Sequence, residues 1–303
     1  MATFSFYCLF PDFSIKSYGM KKFLILFISL IQIAFAQKSS LTFETKFYDA
    51  EDKWVIFDKK ENQNTYALGF IYLDSEAGYS FNYQGELEYK NSEFHKVPRL
   101  DTSSNIIMRL DRNSFNVRVL TDEQVTKLGL ANPPEWLQNY KQNADFIETR
   151  VHKASMMNGA GASIKALPIL QKAYQEDPHY PGLEFELGYA YNATGSFYKA
   201  VIVLNKAIEN DPSNFWYYRE LGFSLKHLNN LPEAEKVYRK GIELASDKNQ
   251  IAEMAINMAQ SYFHAKDKDK FDEWKSIVVQ NAEPESQYRQ YINYFEENWH
   301  KSN

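Results

Sequence analysis

Cysteine is nearly missing. The 303-residue chain has one, Cys8. Internal disulfides are therefore excluded, as are paired-thiol metal sites and any thiol nucleophile after residue 8. A long apolar run is also missing. The stretch Phe23–Ala36 holds 14 residues, broken by Ser29 and Gln32, where a bilayer span needs roughly 20. There is no basic excess: 34 Lys and Arg stand against 39 Asp and Glu, a net charge of −5. Nucleic-acid binders show the opposite balance or a basic stripe, so that class is excluded. The six histidines (His95, His152, His179, His227, His264, His300) include no pair at H-E-x-x-H spacing, and no metal or cofactor is expected. Gly159-Ala160-Gly161-Ala162-Ser163 lacks the Gly-Lys-Ser/Thr ending of a phosphate loop, and no G-x-S-x-G elbow occurs. No catalytic constellation can be named, and the chain is read as a non-enzyme.

What is present begins with an export pattern. Lys21 and Lys22 precede the short apolar stretch, and Ala34-Phe35-Ala36 is a small-x-small cleavage site. Residues 1–36 are thus expected to be upstream sequence and a signal peptide, with Met20 as the start and cleavage after Ala36. Loss of these residues leaves 31 basic against 38 acidic residues. A periplasmic or outer-membrane-associated location follows as an expectation.

Residues 37–120 read as an antiparallel β domain. Tyr79, Phe81, Tyr83, Leu87 and Tyr89 share one parity, with Ser80, Asn82, Gln84, Glu86 and Glu88 on the other; this alternation predicts a half-buried strand. Tyr66–Leu73 is more evenly apolar and predicts a central strand. Asp74–Gly78 forms the turn between the two. Ile106–Leu110 and Phe115–Val119 are expected to pair around residues 111–114. Leu41–Tyr48 and Trp54–Phe57 complete six or seven strands. In the connector, 121–144, Thr121 and Gln124 form a capping box. A second short helix is expected over Pro134–Lys141, with Trp136, Leu137 and Tyr140 on one side.

From residue 145 a period of 34 residues takes over. Ala166, Ala200 and Ala234 occupy one position of it; Leu170, Leu204 and Tyr238 the next; Ala173, Ala207 and Gly241 a third. Pro178 and Pro212 close two copies. Leu187, Gly188 and Tyr191, then Leu221, Gly222 and Leu225, mark the first helix of two of them. Small residues where antiparallel helices meet let the backbones approach, and large ones fill the gaps between pairs. Gly161, Gly195 and Asn229 fall at the turn inside each pair, where positive φ is required.

This pattern resembles the tetratricopeptide repeat, a 34-residue helix-turn-helix unit. The copies span 147–180, 181–214, 215–248 and a degenerate 252–285. In the fourth, Met258, Ala259 and Tyr262 are shifted and the small residues of the second helix are lost, so a looser pair is expected. Residues 286–303 follow as a capping helix. The fold class is therefore α+β by segments, an antiparallel β domain followed by an all-α solenoid.

The resemblance implies that the first helix of each pair lines a concave, partner-binding face. The residues it places there are Phe185, Tyr189 and Asn192; Trp216, Arg219, Phe223 and Lys226; and Asn257, Gln260 and His264. Arg219 and Lys226 beside aromatic rings suit a peptide with an acidic and an apolar element. The implied function is a non-catalytic scaffold or adaptor of the bacterial cell envelope, bound to a protein partner of unknown identity. Two alternatives stay open: an enzyme with its chemistry in the β domain, and a self-assembling structural protein.

Overall fold

The computed structural model describes residues 41–98 and 105–301. The export pattern at Met20–Ala36 and Cys8 lie outside the described residues.

Six strands form one antiparallel sheet, curled as a half-barrel. They are β1 (Lys53–Phe57), β2 (Thr65–Asp74), β3 (Gly78–Lys90), β4 (Glu93–Lys96), β5 (Ile106–Arg109) and β6 (Val117–Val119). The order is β4-β3-β2-β1-β6, with β5 also paired to β3. The evenly apolar β2 is central, as its composition demands. Leu41–Tyr48 is not the strand expected. It contributes a single bridge, Thr45 to Val117, before a 3-10 turn at Phe47–Ala50. Nor do β5 and β6 pair with each other. One joins β3, the other β1, and residues 110–116 cross between opposite sides of the sheet.

β3 departs most from its pattern. Tyr83 pairs with Gly69, but Leu68 pairs with Gly85, so Gln84 is an extra residue. A bulge reverses the parity of everything after it. Tyr79 and Phe81 accordingly face one core with Ile71 and Leu73, while Leu87 joins Leu68, Phe70 and Tyr72 in another. The five apolar residues share a parity in sequence but not a face in space. The sheet is buried on both sides.

The connector covers that second face. Helix α1 (Asp122–Lys127) starts with the expected capping box: Gln124 N–H donates to Thr121 Oγ1, and Thr121 N–H donates to Gln124 Oε1 at 3.0 Å. Glu135–Tyr140 is a 3-10 helix, shorter and tighter than the helix expected. Trp136 meets Phe70 and Tyr72 edge-on, and Tyr140 lies 4.6 Å from Tyr72. Trp54 Nε1 donates to Ala131 O at 2.9 Å. These aromatic contacts make the connector a lid on the sheet.

Nine helices follow among the described residues: α2 (Ile147–Gly159), α3 (Ser163–Glu176), α4 (Leu183–Ala193), α5 (Phe197–Asn210), α6 (Phe215–His227), α7 (Leu231–Leu244), α8 (Lys248–Ala265), α9 (Lys268–Asn281) and α10 (Gln287–Glu297). They pack as four antiparallel pairs and a terminal helix. Turns inside the pairs sit at positive φ: Gly161 at 84°, Gly195 at 73° and Asn229 at 59°. Close approach explains the helical glycines. A Cβ on Gly188 would lie 2.6 Å from Leu204, and one on Gly222 2.7 Å from Tyr238.

The fourth pair is not loose. Its small residues have moved to the first helix, where Ala252, Ala255 and Ala259 are fully buried. The large ones, Phe271, Trp274 and Val278, fill the second and are fully buried too. Volume is conserved with the roles exchanged. α10 buries Tyr288, Ile292 and Phe295, and Phe295 stacks on Phe263 at 4.8 Å.

Sheet and solenoid share one core, in which Phe47, Val55, Tyr79 and Phe81 join residues of the helices. Charge reinforces it. Glu51 faces Lys141 and Lys153, and Asp49 pairs with Lys165.

Candidate functional site

The first helices of the pairs, α2, α4, α6 and α8, lie side by side. The 34-residue repeat therefore brings equivalent side chains into a row.

At one flank the row is aromatic. The rings of Phe185 and Trp216 lie 5.8 Å apart, and Phe185 and Tyr189 6.3 Å. The Arg219 guanidinium lies over Trp216 at 4.5 Å. Phe223 packs beside His227 at 4.3 Å and Phe197 at 6.3 Å. Phe185, Trp216 and Phe223 are half-buried, while Tyr189 is buried.

Deeper in the row runs a ladder of polar groups. Asn158 donates from Nδ2 to Glu186 Oε2 at 2.7 Å and to Glu186 O at 3.0 Å. One repeat later Asn192 does the same to Glu220, at 2.9 and 3.0 Å. Ser155 adds a bond to Glu186, and Ser224 donates to Asn192 Oδ1. Burial raises the Glu186 carboxyl above its usual range, with the bonds from Asn158 and Ser155 opposing. Buried amide–carboxylate bonds of this kind fix the register of one repeat on the next.

At the third rung the chemistry changes. Lys226 stands where Asn158 and Asn192 stood. Its Nζ donates to Asn257 Oδ1 at 2.7 Å and Gln260 Oε1 at 3.0 Å. Among the described residues it makes no ion pair, and burial pushes its ammonium down to about 8. The charge also depresses its neighbours: burial and then Lys226 push His227 down to about 4, and burial, Lys226 and Lys266 lower His264.

Arg219 is a different kind of cation. It is 4% exposed. It donates to Glu220 Oε1 from Nε at 3.1 Å and to Gln250 from Nη1 at 3.2 Å, and it pairs with Glu253 at 3.5 Å. Burial opposes its charge, and Glu220 and Glu253 overcome that. Two carboxylates thus neutralise the guanidinium inside the protein. Asn192, 3% exposed, is likewise consumed by the ladder.

The structure thus joins the expected residues in two groups. Phe185, Tyr189, Trp216 and Arg219 form one; Phe223, Lys226, Asn257 and Gln260 form the other. His264 lies beyond, with its ring 5.3 Å from Phe263. Sequence reasoning missed Ser155, Asn158, Glu186, Glu220, Ser224, Gln250 and Glu253. The signal was available for three of these: Asn158 stands one repeat before the expected Asn192, and Glu186 one repeat before Glu220.

The sheet also reaches this row. Arg112, in the crossing segment, donates to Gly159 O at 3.2 Å, Asn158 O at 3.4 Å and Tyr189 Oη at 3.1 Å. A cation at the carbonyl end of α2 is well placed electrostatically. It also covers the α2 end of the row with the chain's own side chain. Among the described residues no cluster of His, Cys, Asp and Glu has metal-site geometry.

Comparison with known proteins bears on the helical part. The tetratricopeptide repeat family model matches residues 159–221. No curated protein matches the chain. Among solved structures, MamA MSR-1 C2 is 22% identical with a TM-score of 0.39, over 48% of this chain and 84% of that one. TTC0263, a thermophilic TPR protein of Thermus thermophilus, is 18% identical with a TM-score of 0.45, over 53% of this chain and 86% of that one. The family match falls on the second half of the first pair, all of the second and the start of the third, where the glycine turns and the ladder repeat. Residues 159–221 thus match the tetratricopeptide repeat, inside a helical solenoid that an antiparallel sheet precedes.

Proposed function

We propose that this chain is a non-catalytic adaptor of the bacterial cell envelope that binds an extended segment of a partner protein along α4, α6 and α8. Tetratricopeptide repeats generally mediate protein–protein interaction, and the row of first helices is where such a segment would lie. The observation that carries the reading is Lys226. Arg219 is neutralised internally, whereas Lys226 is held by two neutral carbonyl groups with no carboxylate partner among the described residues. A half-buried cation without a counter-ion favours an incoming anion. Phe185 and Trp216, half-buried in the neighbouring group, would take an apolar side chain from another point of the same segment, as aromatic residues do at interface centres. The partner segment is therefore acidic at one point and apolar at another.

Export rests on the sequence pattern at Met20–Ala36. No helix among the described residues is long and apolar enough to cross a membrane. The envelope role and the division into signal peptide, sheet, connector and repeats are parts of the same proposal.

The test is selection of displayed random peptides on the full chain, repeated on Lys226→Gln and Trp216→Ala variants whose helicity is checked by circular dichroism. Selected peptides should pair an acidic with an apolar residue and should lose affinity on each variant. Selection of peptides without acidic residues, or equal binding to parent and variants, would overturn the reading.

A further inference from the structure

A second surface lies on the outer helices, away from the row. On α3 the outward positions four residues apart are Ile164, Pro168 and Lys172. One repeat later on α5 they are Tyr198, Ile202 and Lys206, and on α7 Pro232, Lys236 and Lys240. All nine are exposed. The repeat therefore lines up an apolar end beside a row of three lysines. Ile164 is 72% exposed, Tyr198 75% and Ile202 59%. Isolated apolar residues on a surface need no explanation. Ile164 and Tyr198 hold matching positions of adjacent repeats and Ile202 lies one turn further along α5, so the three are not isolated.

Charge says what covers them. The chain is acidic overall, at −5, yet α3 and α5 carry Lys165, Lys172, Lys199 and Lys206 against Glu176 and Glu209 only. Lys165 is paired with Asp49. Lys172 and Lys206 make no ion pair among the described residues. Beyond α5 the lysines are paired, Lys240 with Glu243 on α7, and Lys268 with Asp272 and Lys270 with Glu273 on α9, which bounds the patch. Apolar side chains standing proud beside unpaired lysines give an amphipathic face of the kind that lies in a headgroup layer. Tyrosine and lysine both suit that depth, with apolar bodies and polar ends. A protein segment is better held by a cleft than by side chains that project from the outer helices.

We propose that the outer face of α3 and α5 docks on an anionic lipid bilayer. Ile164, Tyr198 and Ile202 enter the headgroup layer, and Lys172 and Lys206 pair with lipid phosphates. This surface needs neither the inner row nor the export reading to hold.

The experiment is a local one, because the apolar stretch near the N-terminus of the full chain can itself bind lipid. Cys8→Ser removes the native thiol. Ile202→Cys, or as control Asn293→Cys on α10, then carries an environment-sensitive fluorophore. Vesicles of phosphatidylcholine with and without phosphatidylglycerol are titrated in. The label at 202 should shift to the blue only with phosphatidylglycerol, and the label at 293 should stay unchanged. Lys172→Gln with Lys206→Gln should weaken the response at 202 roughly 25-fold, at about a fivefold factor per lysine. No shift at 202 on bound vesicles overturns the proposal. So does an unchanged titration for the double lysine variant. A blue shift at 202 produced by an acidic, apolar peptide but not by vesicles would assign the face to a protein instead.

Discussion

The sheet and the solenoid solve the same burial problem with different dependence on sequence position. In the solenoid the face of each side chain is set locally. An apolar residue at Leu170 is followed by its equivalents at Leu204 and Tyr238, and all are fully buried. In the sheet the face depends on everything earlier in the strand. One extra residue, Gln84, sends Leu87 to the core opposite that of Phe81. A helical repeat tolerates local error because the next copy restarts the register. A strand carries its error to the end.

Deleting Gln84 would only straighten the strand, because Gly85 would still pair with Leu68 and Leu87 with Tyr66. Inserting one alanine between Glu86 and Leu87 is the harshest test of the contrast: it moves Leu87 and the β4 residues paired beyond it by one position, which turns Leu87 and Phe94 out of their core. At about 1.5–3 kcal/mol per buried side chain the cost is on the order of 5 kcal/mol. Near-ultraviolet circular dichroism should lose the aromatic signal of the sheet while far-ultraviolet helicity largely persists. Inserting one alanine after Ser213, an exposed residue between two repeats, should cost much less. Equal loss in both would break the comparison.

Glycine sharpens it. A Cβ on Gly69 would meet the backbone oxygen of Asn82 and the ring of Phe81 at 2.5 Å, whereas one on Gly222 meets only the Tyr238 ring, at 2.7 Å. A ring can tilt, but a strand bonded on both sides resists. Gly69→Ala should therefore cost about 2–3 kcal/mol and Gly222→Ala about 1–2, the latter offset by the better helix propensity of alanine. Urea denaturation of both variants gives the order, and the reverse order would count against the argument.

The same contrast explains what was legible. The solenoid register could be read from Ala166, Ala200, Ala234 and the turn residues because each reports on its own neighbourhood. In the sheet, β2 was legible as a central strand because it is apolar throughout. The partners of β5 and β6 were not, since pairing is a long-range choice and both segments are short. In the row of first helices the aromatic residues could be placed by register. The state of Arg219 could not, because Glu253 reaches it from the next helix pair, in the copy whose register is shifted. The exchange of small and large residues between α8 and α9 was hidden for a similar reason: the pattern fixes which positions meet, not which side brings the bulk.

Within the solenoid, Asn192→Leu tests whether the ladder matters beyond packing. It removes the amide that donates to Glu220 and accepts from Ser224, leaving buried polar groups unpaired. A loss of about 1–3 kcal/mol is expected. Asn192→Asp, at a pH where the new carboxyl is ionised, should lose at least as much, because it faces Glu220. A neutral outcome for Asn192→Leu would show that the apolar residues alone set the register.

The third rung predicts the opposite sign. Lys226 titrates near 8 in the folded chain, against 10.5 for an ordinary lysine, because burial disfavours the ammonium. Between these values the unfolded chain binds the proton and the folded chain does not, so stability rises with pH through this window. Below about 8 both states are protonated and the full cost of the buried charge remains. Lys226→Gln should thus be at least as stable as the parent at neutral pH, and the difference should shrink as pH climbs from about 8 toward 10. Buried tyrosines such as Tyr238, held protonated by their surroundings, oppose the trend near the upper end in both proteins, so the difference between parent and variant is the quantity to follow. Asn192→Leu should show no such window. A parent–variant difference flat from pH 7 to pH 10 would mean that water or a mobile side chain already solvates the Lys226 charge, and the groove would then have no special claim on an anion.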